Sequence, residues 1–199
     1  IFVWAGMIVG FDEDDESVFT EQLDFMHEAN LPVCMVGMLN APTGTPLWQR
    51  LRDEGRLREG IQYRDQADTN ILPLKMSLEQ LRRGYVGLLN ELYSYERYGQ
   101  RLIGNLKAIR RRRGAPARPF FWRDAGGAML RLGRVVRHFL LTGDAGRRRY
   151  FLTTMRRILQ MDPFYFQDAI WHMAILKHFH TYSALLNRSS QVLDRVSAG

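Results

Sequence analysis

Two apolar runs of strand length, Ile1–Val9 and Val33–Leu39, flank a stretch with one amphipathic helical pattern, and this arrangement constrains the fold more than any other feature of the chain. Between the runs, Phe19, Leu23 and Met26 recur at helical spacing. Asp14 or Asp15 can cap that helix, and Glu16 places an acid near the positive end of its dipole. Two strands joined by one helix are expected to lie parallel with a right-handed crossover, the repeat of α/β barrels and open α/β sheets. The unbroken run Ile1–Val9 predicts a strand buried on both faces. Such a strand at residue 1 needs upstream neighbours, so the chain is expected to begin inside a domain.

The second run leads into Asn40–Pro46, where Thr45 as N-cap, Pro46 at the first helical position and Gly55 past the last turn predict a short helix. Residues 56–73 show no sustained period, with one short strand expected near Ile61–Tyr63. From Ser77 the pattern turns helical. Ser77-Leu-Glu-Gln80 is a capping-box sequence, and Leu81, Tyr85, Leu88, Leu89 and Leu92 form an apolar stripe behind it. Tyr98, Leu102, Leu106 and Ile109 form another over 95–111. The run Arg110–Arg113 with Gly114–Pro119 reads as an exposed basic linker near 110–119. Further helices are expected at about 120–141, 146–160 and 164–186, with a frayed end over the last ten residues. The expected fold class is α/β: an α/β part over 1–73, then a mostly α-helical domain over 74–199.

No apolar run reaches the length of a membrane-spanning helix, and no signal-like segment opens the chain, which predicts a soluble, cytoplasmic protein. Cys34 is the one cysteine, so the chain can build neither a disulfide framework nor a cysteine metal site; within PVCMVGML it reads as a small buried hydrophobe. The net charge of +7 conceals an asymmetry. Residues 1–100 hold 9 basic and 16 acidic side chains, whereas 101–160 hold 16 basic and 2 acidic ones.

The acidic burst Asp12–Glu16 lacks the spaced ligands and central glycine of a calcium loop and reads as a solvated helix start. His172 and His180 share a helical face but are two turns apart, too far for one metal ion, and with His178 they read as polar groups of a helical domain. Ser183 belongs to no nucleophile motif. Arginines at 110–113, 131, 134, 137 and 147–149, with Phe120, Phe121 and Trp122, present charge and aromatic surface together. This stretch reads as a solvated face, as a surface for an anionic substrate or lipid, or as a nucleic-acid binding face, the last the least expected.

Gly6-Met-Ile8-Val-Gly10-Phe-Asp-Glu13 resembles the G-x-I-x-G-x-x-E segment of radical S-adenosylmethionine enzymes. The resemblance continues through GMIVGFDEDDESVF, PVCMVGMLNAPTGTPLWQRLRDEGRL and KMSLEQLRRGYVGLLNELYSYERY, over residues 1–110. These segments are similar to the carboxyl-terminal half of the cobalamin-binding members, a group that includes hopanoid methylases and anaerobic magnesium-protoporphyrin IX monomethyl ester cyclase-like proteins. The resemblance implies that the two runs are the last two parallel strands of a radical S-adenosylmethionine barrel. It places Ile8 near adenine, has Gly6 and Gly10 give clearance, and makes Met38 and Leu39 further candidates for the nucleoside pocket, with ordinary core packing as their other reading; Glu13 would orient the loop or be simply an acid preceding the helix. It implies S-adenosylmethionine, a [4Fe–4S] cluster and cobalamin as cofactors of the full-length protein, acting on a small-molecule or lipid-like substrate by methyl transfer or oxidative cyclisation through a 5′-deoxyadenosyl radical.

The family's three-cysteine cluster loop and its cobalamin domain have no counterpart here, and Ala41-Pro42-Thr43-Gly44-Thr45-Pro46 carries one residue more than the usual Leu-Pro-Gly-Thr-Pro. The chain is therefore expected to be a fragment partnered by the rest of its polypeptide, to catalyse nothing alone and to bind no cofactor tightly. A basic helical module for nucleic acid or another anionic partner is the alternative.

Overall fold

The computed structural model describes residues 3–58, 67–112 and 125–197. The expected strand at Ile61–Tyr63, the linker from Arg113 to Pro119 and the aromatics Phe120–Trp122 lie outside these residues. The chain divides into two compact units, an α/β unit of residues 2–29, 33–92 and 185–199, and a helical unit of residues 30–32 and 93–184.

In the α/β unit, β1 (Trp4–Val9) and β2 (Val33–Met38) form a two-stranded parallel sheet in register from Trp4 opposite Val33 to Val9 opposite Met38. The helix α1 (Ser17–Glu28) makes the crossover and ends where Asn30 takes φ 50°. Val9, Cys34, Val36 and Met38 are buried, whereas Trp4, Ile8 and Met35 are 52%, 47% and 49% exposed. The expected burial of the first strand on both faces is thus not met within the chain. Helices cover one face only, and successive side chains alternate between the covered face and the open one.

The covering helix α3 (Leu78–Leu92) starts at a complete capping box: Gln80 N–H donates to Ser77 Oγ at 3.0 Å, and Ser77 N–H donates to Gln80 Oε1 at 2.7 Å. Its predicted stripe, Leu81, Tyr85, Leu88, Leu89 and Leu92, is buried, and the Tyr85 hydroxyl donates to the Val36 carbonyl at 3.0 Å. A Cβ at Gly84 would lie 2.0 Å from the Phe19 ring, so glycine there sets how closely α3 approaches α1. The short α2 (Pro46–Asp53) begins with Thr45 Oγ1 accepting from Trp48 N–H at 3.2 Å. Its Leu51 closes a small core with Ala41 and Ile71, against which Leu39, Leu47, Trp48 and Leu57 pack.

The helical unit contains α4 (Tyr95–Arg112), α5 (Ala125–Leu140), α6 (Ala145–Met161) and most of α7 (Phe166–Ser197), which follows a 3-10 turn at Pro163–Tyr165. Tyr98, Leu102 and Leu106 of α4 are fully buried, as are Phe139, Ile158 and Met173. Asp144 caps α6 through Arg147 N–H, and Asp162 caps the turn through Phe164 N–H, both at 3.0 Å. The chain end is helical through Ser197 rather than frayed over its last ten residues. Asn90 and Asn187 exchange two amide hydrogen bonds at 3.0 and 3.2 Å.

Candidate functional site

The open face of the sheet and the loops at its carboxyl-terminal edge form the candidate site. By strand alternation and register, Trp4, Gly6 and Ile8 of β1 share this face with Val33, Met35 and Gly37 of β2; Val33 at its start is buried, and the rest of the face is open. A Cβ at Gly6 would have nothing within 4 Å. The result is an apolar shelf with a bare backbone patch at its centre, suited to the flat face of an aromatic ring.

The sequence candidates separate by location. Gly6 and Ile8 come together on the shelf. Gly10 serves the turn at its end: its φ is +98°, a Cβ would press on Leu81 at 3.2 Å, and its N–H donates to Asp14 Oδ2 at 2.8 Å. Met38 lies on the opposite, helix-covered face and is 5% exposed. Leu39 packs beside the Ala41–Leu51–Ile71 core. Glu13 is at the surface in an ion pair with Lys75, Oε2 to Nζ 2.6 Å, which raises the lysine's pKa. Met35 and Gly37 are absent from the sequence candidates, although the period-two pattern of VCMVGM opposite Gly6 and Ile8 could have found them.

The acidic burst is a scaffold for the loops. Asp12 accepts from Arg56 at Oδ1 and from Arg50 at Oδ2, each at 2.7 Å, and these hydrogen bonds, that of Arg56 first, lower its pKa. Arg56 is 9% exposed and also donates to Glu54 and to the Leu72 carbonyl. Asn40 accepts from Asn70 N–H and donates to the Asp68 carbonyl, and Asn70 makes two hydrogen bonds to the Ala41 backbone. Together these bonds tie the loop after β1, the loop after β2 and residues 54–56 and 68–72 into one rim. No local pattern announced the Asp12–Arg56 pair, because its members are 44 residues apart.

Among the described residues, no group of three or more His, Cys, Asp or Glu side chains converges as a metal site. Cys34 is buried, so the residues here do not fit an iron–sulfur cluster. His172 and His180 serve the helical unit. The Tyr98 hydroxyl lies 2.9 Å from His172 Nδ1 and 3.2 Å from the His172 carbonyl oxygen, and burial lowers the imidazole pKa to about 4. His180 stacks on Tyr95 at 4.3 Å. Of the basic stretch, Arg147 donates to the Tyr95 hydroxyl at 3.0 Å, whereas Arg134, Arg137, Arg149, Arg156 and Arg157 are exposed.

Fold and site therefore define a small parallel α/β unit with an apolar shelf, joined to a helical unit. A domain family described as of unknown function, DUF4070, matches residues 45–191, and the chain belongs to this family. It is also similar to a hopanoid C-2 methylase of Rhodopseudomonas palustris, at 37% identity over 57 residues, covering 29% of this chain and 11% of that protein. A protein of Synechocystis sp. bearing the name uncharacterized methyltransferase is 31% identical over 96 residues, covering 47% of this chain and 18% of that one. The matched segments thus span less than a fifth of these relatives' own lengths. No solved structure matches the chain significantly. Among the described residues, no helix is long and apolar enough to cross a membrane.

Proposed function

We propose that this chain is part of a longer radical S-adenosylmethionine methylase of the cobalamin-dependent type, and that its α/β unit supplies one wall of the adenosyl pocket. The observation that carries this reading is the open shelf. One face of the sheet is built into the core through Val9, Cys34, Val36 and Met38, while the other leaves Trp4, Ile8 and Met35 half exposed around a glycine with empty space above it. A planar apolar group such as adenine fits there, with Ile8 and Met35 in contact and Gly6 giving clearance. S-adenosylmethionine, when bound, would supply the family's carbon-radical and methyl-transfer chemistry. The chain's own residues would bind, orient and exclude water. In this reading Gly10 and the Asp12–Arg56 rim hold the shelf's edge in place, Glu13 acts through Lys75 on the same rim, and the side chains of Met38 and Leu39 support the shelf from the core. β1 and β2 would be the last strands of a barrel completed by other parts of the polypeptide, which would also supply the cluster cysteines and the cobalamin site.

Both relatives are named for methyl transfer, which favours it over cyclisation as the reaction type. A hopanoid or similar lipid-like skeleton is the substrate class in keeping with the first of them. The test is Gly6→Val in the full polypeptide. Equilibrium binding of S-adenosylmethionine should weaken by at least about tenfold, as a branched side chain fills the space above the shelf, while the melting temperature stays unchanged. Unaltered binding would remove the shelf from the pocket, and a reading frame without three clustered cysteines would remove the class.

A further inference from the structure

The paired helices α5 and α6 carry a surface that is not part of the proposed adenosyl shelf. Residues 125–161 contain eight arginines and one acid, Asp144, which is engaged as the cap of α6. Arg134, Arg137, Arg149, Arg156 and Arg157 are exposed, and none has a carboxylate partner among the described residues. On α5, Arg134 and Arg137 share the exposed arc with Met129 and Leu130, away from the buried Val135 and Phe139, and the exposed Leu141 follows just past the helix end. On α6, Arg149, Leu152, Arg156 and Leu159 follow one another along the exposed face, away from the buried Tyr150, Thr154 and Ile158.

Two properties of this surface select its partner. Like charges held together without counter-charges favour an anionic partner. The apolar side chains interleaved with them are aliphatic: Met129, Leu130, Leu141, Leu152 and Leu159 are between 43% and 77% exposed. Single-stranded nucleic acid is held by aromatic rings that stack on bases, but the rings of this helix pair, Phe139, Tyr150 and Phe151, are buried. Leucine and methionine beside arginine suit a bilayer surface instead, where the alkyl groups enter the acyl boundary and the guanidinium groups stay at the phosphates.

We infer that the outer face of α5 and α6 is a docking surface for an anionic lipid bilayer, bound by arginine–phosphate contacts and shallow insertion of leucine and methionine. The inference stands whatever chemistry the α/β unit performs. To test it, the full polypeptide carrying these residues is sedimented with vesicles of phosphatidylcholine alone and of phosphatidylcholine mixed with phosphatidylglycerol. It should sediment with the mixed vesicles only, and added salt should lower the bound fraction without abolishing it. Arg149→Glu with Arg156→Glu should lower partitioning by at least about tenfold, and Leu152→Ser with Leu159→Ser should remove the salt-resistant fraction, both with unchanged thermal melts. If the charge reversal impairs folding, Arg149→Gln with Arg156→Gln takes its place and should weaken binding in the same direction. Failure to bind mixed vesicles at low salt, equal binding to neutral vesicles, variants that bind like the parent, or tighter retention on single-stranded DNA than on mixed vesicles would each overturn the inference.

Discussion

Arg56 reaches across the rim of the α/β unit to Asp12, Nη2 to Oδ1 2.7 Å, and does so with only a tenth of its side chain exposed. The pair fixes the loop after β1 against the segment that follows α2. Because Arg56 also serves Glu54 and the Leu72 carbonyl, its loss would leave several acceptors without a donor.

Replacing Arg56 with Leu should therefore cost about 3 kcal/mol in denaturant unfolding, and Asp12→Asn about 1–2 kcal/mol. The Asp12 pKa is lower in the folded state than the usual 3.8, chiefly through the hydrogen bond from Arg56. Its contribution is accordingly complete above the unfolded carboxylate pKa and is lost as pH falls through the folded value. Acid titrations of stability should show a shallower fall below about pH 4 in Asp12→Asn than in the parent.

The two glycines of the opening motif should behave differently. Gly10→Ala forces a β-carbon onto a φ of +98° and against Leu81, and should destabilise the chain by about 1–2 kcal/mol. Gly6→Ala meets open space and should change stability by less than about 0.5 kcal/mol. Thermal melts of the two variants side by side give the comparison, and a large loss at Gly6 would mean that its bareness serves the fold.

Stability should also fall with acidification between pH 6.5 and about 4, the ordinary and the folded values for His172. Burial holds the folded imidazole neutral, so the unfolded chain binds the extra proton in this window and gains on the folded state as pH drops. The gap between those values corresponds to about 3 kcal/mol for this histidine, which is 1% exposed. His172→Gln should remove that part of the slope, as read from urea unfolding across the window.

Ser77→Ala removes one half of the capping box and should cost about 1 kcal/mol in thermal or denaturant unfolding. Ser77→Asp keeps a side-chain oxygen at the cap and should stay close to the parent in stability. Equal instability in both variants would show that the hydroxyl does something other than cap.

Local signals carried through to the structure with little change. Thr45 and Pro46 start α2, Ser77 and Gln80 start α3, the stripe of α3 is buried as its spacing predicts, and so are Tyr98, Leu102 and Leu106 of the α4 stripe, while Ile109 at its end is half-buried. The parallel pairing of the two apolar runs was equally legible, since one helix between two strands leaves few topologies. The separate fates of Gly6 and Gly10 were not, because a glycine letter does not tell open space from a positive φ. Nor did composition distinguish arginines that pair from those that do not: Arg56 is buried on Asp12 while Arg149 and Arg156 face outward.

By itself the sequence determined most of the helices, the caps of α2 and α3 and the strand pairing, because those depend on contacts within a few residues or on chain connectivity; α1 instead starts after Glu16 with no side-chain cap, not at Asp14 or Asp15. Only the tertiary structure decided which strand face stays open, that α3 belongs with the sheet, and that Asp12 meets Arg56. These outcomes depend on which surfaces are left over once distant segments have buried theirs.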